Sequence, residues 1–259
     1  MSHQFIIQQF DNHACTITLN RPEKRNAFNP SMMQELIDAI HLATDKKDLH
    51  YVLVNANGPC FSAGADLVHM KTMSDASYDE NQEDAALLAR LLKAYFNCPH
   101  PLVMICHGSA TGGALGLLAC ADYVIAEKDC LFRLSEVSLG ITPATIAPYL
   151  NQSMGTSWLL AYALSASSID AEQAYQAGLV HELVDEKPES HHDTLNQFLA
   201  NSPSAMRSFK EQCRSLNPIT DDTIQHSIAC LANVRSTDDA KEGLAAFMEK
   251  RSPTWKKEV

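Results

Sequence analysis

Three short segments carry residue types suited to anion binding and proton transfer. The first, Phe61-Ser62-Ala63-Gly64-Ala65-Asp66-Leu67, follows a β-prone run and an Asn57-Gly58-Pro59 turn. Its small side chains let a ligand come close to backbone N–H donors. The second, His107-Gly108-Ser109-Ala110-Thr111-Gly112-Gly113, leads into an apolar stretch ending near Cys120. Glycines there open a helix whose first N–H groups lack partners and point at any nearby negative charge. In the third, residues 132–143, Glu136 is the only carboxylate among apolar and small side chains. Such surroundings disfavour the charged form and raise the pKa toward the range of a general acid or base.

Taken singly, each segment also has a plainer explanation. The first reads as a tight strand-to-helix turn capped by Asp66, the second as glycine-assisted helix packing, and Glu136 as an exposed acid at a strand end. Several chemistries are excluded by spacing. No GxGxxG, GxxxxGK[ST] or GxSxG is present, so a dinucleotide site, an NTPase phosphate loop and a hydrolase elbow lack support. The eight cysteines form no CxxC pair; they read as buried, reduced thiols rather than zinc ligands. His191-His192 lies in a polar connector and reads as solvated.

The elements that must hold these segments alternate. Residues 5–9 and 14–19 read as a hairpin around Asp11-Asn12-His13, and Asn29-Pro30 as a helix start. Residues 51–56, 102–106 and 123–126 read as buried strands, with helices over 83–96 and 112–120. This alternation predicts an α/β layered fold. The polar stretch 71–84 reads as a mobile loop or the frayed start of a helix. Asp170 caps a helix ended by Gly178, Ser202-Pro203 starts another, and the pattern stays helical to about residue 251. That divides the chain into a core, 1–199, and a helical region, 200–259. The latter reads as an oligomerisation or lid appendage, or as a layer that completes the core.

With 259 residues the chain can bury a full-sized core. Its formal charge of −11 repels nucleic-acid phosphates and anionic lipid, so neither partner is expected. The N-terminus lacks the basic-then-apolar order of a signal peptide, and no run is long enough for a membrane span; a cytoplasmic location is the expectation.

The three segments, in this order and spacing, resemble the crotonase (enoyl-CoA hydratase/isomerase) superfamily. Arg21-Pro22-Glu23-Lys24-Arg25-Asn26-Ala27-Phe28 resembles its N-terminal signature. Ser62–Leu67 and Gly108–Asp122 resemble its two oxyanion loops, and residues 165–184 and 243–251 resemble later family stretches. The resemblance implies a crotonase-type spiral of ββα units with a C-terminal helical trimerisation region, and homotrimers or homohexamers. It implies no metal and no permanently bound cofactor, with a coenzyme A thioester as substrate. The N–H groups of Ala65 and Gly113 would hold the thioester oxygen. Lys24, Arg25, Ala27, Ala63, Ala65, Asp66, Leu67 and Gly112 would contact the coenzyme, joined by Lys250 from a neighbouring subunit.

Glu136 matches the second of two glutamates that family hydratases place around the substrate. The first falls at Gly116 and is missing. Residues 135–149 resemble a subgroup containing methylglutaconyl-CoA hydratases of leucine degradation, which also tend to carry glycine there. The expected activity is therefore hydration of a short or branched 2-enoyl-CoA, with 3-methylglutaconyl-CoA a candidate. An enoyl-CoA isomerase using Glu136 alone comes second, and a non-catalytic CoA-binding subunit third.

Overall fold

The computed structural model describes residues 4–11, 13–185 and 191–256. The chain runs β1 (Ile6–Phe10), β2 (Ala14–Leu19), α1 (Pro30–Thr44), β3 (Tyr51–Ala56), α2 (Leu67–Ser74), α3 (Tyr78–Phe96), β4 (Leu102–Cys106), β5 (Ser109–Thr111) and α4 (Gly113–Ala119). It continues through β6 (Tyr123–Glu127), β7 (Leu131–Arg133), α5 (Ala147–Ser165), β8 (Ser168–Asp170), α6 (Ala171–Gln176) and β9 (Glu182–Val184). Four helices close it: α7 (His192–Leu199), α8 (Pro203–Leu216), α9 (Asp221–Arg235) and α10 (Asp238–Met248).

Six strands form one sheet in the order β1-β2-β3-β4-β6-β9, and three form a second in the order β5-β7-β8. β1 and β2 pair antiparallel, as the hairpin reading expects, with Ile6 opposite Leu19; Asn12 of its turn lies outside the described residues. From β2 to β9 the large sheet is parallel. Two successive passes each give a strand to the large sheet, a strand to the small one, and then a helix: β4–β5–α4 and β6–β7–α5. This is the crotonase spiral. The sheet faces bury Val52, Val54, Met104 and Val124 against helices α1, α3, α4 and α5. Cys15, Cys60, Cys98, Cys106, Cys120 and Cys130 are buried free thiols; Cys213 is exposed.

Helix boundaries follow local capping. Asn29 accepts from the N–H of Met32 with Pro30 in the first turn, and Asp170 and Gln173 form a capping box on α6. The stretch 71–84 differs from its sequence reading. It is the end of α2, a short turn, and the first turns of α3, which starts cleanly at Ser77. The Ser77 hydroxyl accepts from the N–H of Glu80, whose carboxylate accepts from the N–H of Ser77. A Ser-x-x-Glu capping box was present in the polar run, and it outweighs the run's lack of apolar residues.

The region 200–259 lies against the core as far as it is described. α9 packs on α3, and α10 packs on α2 and on the 3-10 turn Glu136–Leu139. α8 is tied down by charge. Asp122, at the foot of β6, accepts from the N–H of Leu102 at 2.8 Å, from Lys210 at 2.5 Å and from Arg214 at 3.0 Å. The Arg214 guanidinium also lies 3.6 Å over the Phe96 ring. Among the described residues, no helix is long and apolar enough to cross a membrane.

Asp122→Ala leaves the nearly buried Lys210 ammonium without a counter-charge and the Leu102 N–H without its acceptor. A loss of about 1–3 kcal/mol is expected, read as a lower urea midpoint; an unchanged midpoint would show that α8 is held otherwise.

Candidate active site

The two glycine-bearing loops meet because their sequences allow backbone to touch backbone. Gly64 has φ +82°, and a Cβ there would lie 2.5 Å from the carbonyl oxygen of Thr111. Gly112 has φ +55°, and a Cβ there would lie 3.0 Å from Oε1 of Glu136. Only glycine tolerates both the dihedral and the approach. The first loop is then stitched on either side. The N–H of Ser62 donates to Ser109 and that of Thr111 to Ser62, while the N–H of Phe28 donates to Gly64 and that of Asp66 to Phe28.

This stitching satisfies the neighbours and omits two donors. Ala63 donates to Arg25, Gly64 to the Ser62 hydroxyl, Asp66 to Phe28 and Gly112 to Arg133. The N–H groups of Ala65 and Gly113 have no acceptor among the described residues. Gly113 opens α4, where a free N–H is expected. Ala65 is the rarer case: an N–H left free between two that are paired.

Both residues line one cavity of about 450 Å³, which is also bounded by Ala63, Leu67, Gly112 and Glu136. Its wall is mostly apolar, with Phe28, Met70, Met73, Leu88, Ile146, Leu231 and Leu244. Glu136 starts the 3-10 turn after Ser135. Oε2 of its carboxylate is buried without a hydrogen-bond partner. Burial pushes its pKa up to about 7, and the backbone N–H groups of Glu136 and Ser135 offset this only in part. The turn is braced from α10: a Cβ on Gly243 would lie 2.4 Å from the carbonyl oxygen of Leu139, and one on Gly140 would lie 2.2 Å from that of Asp239.

The remaining sequence candidates lie outside the cavity wall. Lys24 and Arg25 are exposed, in a short 3-10 turn and its left-handed end. Ala27 is buried, and its carbonyl accepts from Arg21 at 2.9 Å. Asp66 caps α2, accepting from the N–H groups of Val68 and His69, and pairs with Arg21 at 2.6 Å. Its carboxylate is thus engaged in holding the loop. Asn26, fully buried with φ +52°, donates its side-chain amide to the carbonyls of Asn57 and Cys60. The segment 21–28 therefore works as a bracket for the Ala65 loop. Lys250 is exposed beyond α10. Among the described residues, no cluster of three His, Cys, Asp or Glu side chains is arranged to hold a metal.

Sequence reasoning missed a second polar group on the cavity wall. His69 meets Asp84 at 2.6 Å, and Asp84 meets Arg235 at 2.6 Å. These residues sit on α2, α3 and α9, so no local spacing signalled them. It also missed what replaces the absent side chain at position 116. A Cβ on Gly116 would lie 2.4 Å from Cγ2 of Ile146, which is buried. The glycine is not an empty place beside the substrate; Ile146 fills it.

A family model described as Enoyl-CoA hydratase/isomerase matches residues 9–258. The 2,3-dehydroadipyl-CoA hydratase of Escherichia coli is 32% identical to this chain, over 93% of it and 94% of the relative. The trans-2-decenoyl-[acyl-carrier-protein] isomerase of Streptococcus mutans is 30% identical, over 98% of each. The crystal structure of an enoyl-CoA hydratase from Shewanella pealeana is similar with a TM-score of 0.80 and 34% identity, covering 98% of this chain and 96% of that one.

Gly116→Ala should force the buried Ile146 aside and lower stability by about 1–3 kcal/mol. Combined with Ile146→Ala, the total loss in urea denaturation should be smaller than the sum of the two single losses, because the two side chains compete for one space. A Gly116→Ala protein as stable as the wild type would show that position 116 has room for a side chain.

Proposed function

The chain belongs to the enoyl-CoA hydratase/isomerase family, and from that premise we propose that it hydrates a short or branched 2-enoyl-CoA, with 3-methylglutaconyl-CoA among the candidates. The carrying observation is the pair of unengaged N–H groups at Ala65 and Gly113 on a cavity whose neighbouring acid, Glu136, has a pKa near 7. In this reading the thioester carbonyl oxygen accepts from both N–H groups. Donors fixed where negative charge develops are worth about 3–4 kcal/mol each in the transition state.

A single carboxylate can complete the addition in two steps. Glu136, ionised, takes a proton from water as the water oxygen bonds to Cβ. The π electrons move through Cα to the thioester oxygen, giving an enolate held by Ala65 and Gly113. Protonated Glu136 then returns the proton to Cα, and the net change is addition of one water. A pKa near 7 suits both halves, since the group must accept and release a proton at similar cost.

Coenzyme A as substrate, with no resident cofactor, belongs to the same proposal. Lys24, Arg25 and Lys250, exposed and basic, are the candidates to meet its phosphates. A homotrimer or homohexamer rests on the family resemblance. One observation favours a second reading, enoyl-CoA isomerisation. With Ile146 over Gly116, Glu136 has no partner carboxylate at that position, and one base suffices to carry a proton between Cα and Cγ.

Crotonyl-CoA, 3-methylglutaconyl-CoA and a 3-enoyl-CoA assayed in parallel by absorbance separate the two. Hydration of either 2-enoyl substrate is expected, with kcat rising as pH passes through about 7, because the carboxylate form starts the reaction. Glu136→Gln should lower kcat by a factor of about 100 or more while KM changes little. Turnover of the 3-enoyl-CoA alone would sink the hydratase proposal, and a fully active Glu136→Gln enzyme would remove Glu136 from the chemistry.

A further inference from the structure

Taking the cavity as the acyl-CoA site, we propose that the His69–Asp84–Arg235 cluster binds a carboxylate at the far end of the acyl chain and so selects dicarboxylic acyl thioesters. The three side chains come from α2, α3 and α9 and share the cavity wall. They are largely withdrawn from solvent, at 22%, 10% and 17% exposure. Asp84 accepts from His69 on one oxygen and from Arg235 on the other, each at 2.6 Å. Burial pushes the Asp84 pKa up, and the hydrogen bond from His69 with the charge and hydrogen bond of Arg235 outweigh it and hold the carboxyl below the usual range.

The hydrogen-bonding capacity of this cluster does not balance. Both Asp84 oxygens are engaged. A guanidinium carries five N–H donors, and Asp84 is the only acceptor that Arg235 meets among the described residues. The other ring nitrogen of His69 likewise has no partner there. The surplus consists of the remaining guanidinium N–H groups, in a cavity that Met70, Met73, Leu231 and Leu244 also line. A pin between helices needs only the Asp84–Arg235 pair. Spare guanidinium donors on this mostly apolar wall fit a ligand oxygen, and a planar carboxylate matches the fork with two parallel bonds.

The position is right for a chain end. Leu88 follows Asp84 by four residues of α3, about 6 Å of rise. Its Cδ atoms lie 3.9 and 4.0 Å from a Cβ built on Gly113. The cluster and the Gly113 donor thus line one cavity, joined through successive turns of α3.

Isothermal titration with glutaryl-CoA and pentanoyl-CoA tests this. The two share a chain length and differ in a terminal carboxylate against a methyl. Neither has a double bond, so binding is read whether or not the enzyme is a hydratase. The wild type should bind glutaryl-CoA at least about tenfold more tightly, and Arg235→Gln should reduce the ratio to about threefold or less. Should that variant fail to fold with Asp84 left unpaired, Asp84→Asn/Arg235→Gln removes the orphaned charge and should give the same collapse. Binding of both thioesters by the wild type without preference overturns this proposal alone; binding of neither overturns the acyl-CoA reading as well. A tenfold preference that survives in either variant overturns the assignment to Arg235.

Discussion

The site depends on keeping two backbone N–H groups free in a protein whose folding otherwise pairs them. Ala65 is exposed and Gly113 half-buried, so their N–H groups are reached from the cavity, and they stay free of the protein's own carbonyls only if their neighbours fix the geometry. Here they do. Phe28 engages Gly64 and Asp66 on either side of Ala65, Ser62 is bridged to Ala110 earlier in the loop, and the Ala65 N–H is left without an acceptor among the described residues. At Gly113 the start of α4 does the same. The bracket of Arg21, Asn26 and Asp66 and the glycines at 64 and 112 all serve this one arrangement.

The acid is set by the opposite means. Glu136 is not stabilised by a charge partner; it is deprived of one. Its turn is wedged between Gly112 and α10, with glycines at 140 and 243 allowing the contact, and the carboxylate is left half in an apolar wall. Desolvation alone then brings its proton affinity close to neutrality. The last helix thus helps to position Glu136 rather than being an attachment to the core. Ile146, over Gly116, keeps the wall apolar where a second acid would stand. On the proposed mechanism the chemistry falls on Glu136 alone.

Much of this was legible in the residues. The strands at 51–56 and 102–106, the caps at Asn29, Asp170 and Ser202, and the buried thiols follow from local pattern and composition. The donors at Ala65 and Gly113 were located through the family resemblance, because the small residues taken alone also fit a tight capped turn and a glycine-assisted helix start. The start of α3 was hidden because its polar first turns gave no apolar period, although Ser77 and Glu80 spelled a cap. The His69–Asp84–Arg235 cluster was not legible at all. Asp84 and Arg235 are 151 residues apart, and each alone reads as an ordinary surface charge.

The central claim is that the thioester oxygen sits between Ala65 and Gly113. A crystal structure with butyryl-CoA tests it most directly. The thioester oxygen should lie about 2.7–3.1 Å from both backbone nitrogens, with the acyl chain running toward α3. A thioester bound with that oxygen about 10 Å or more away, well beyond hydrogen-bond reach, would contradict the assignment of the site.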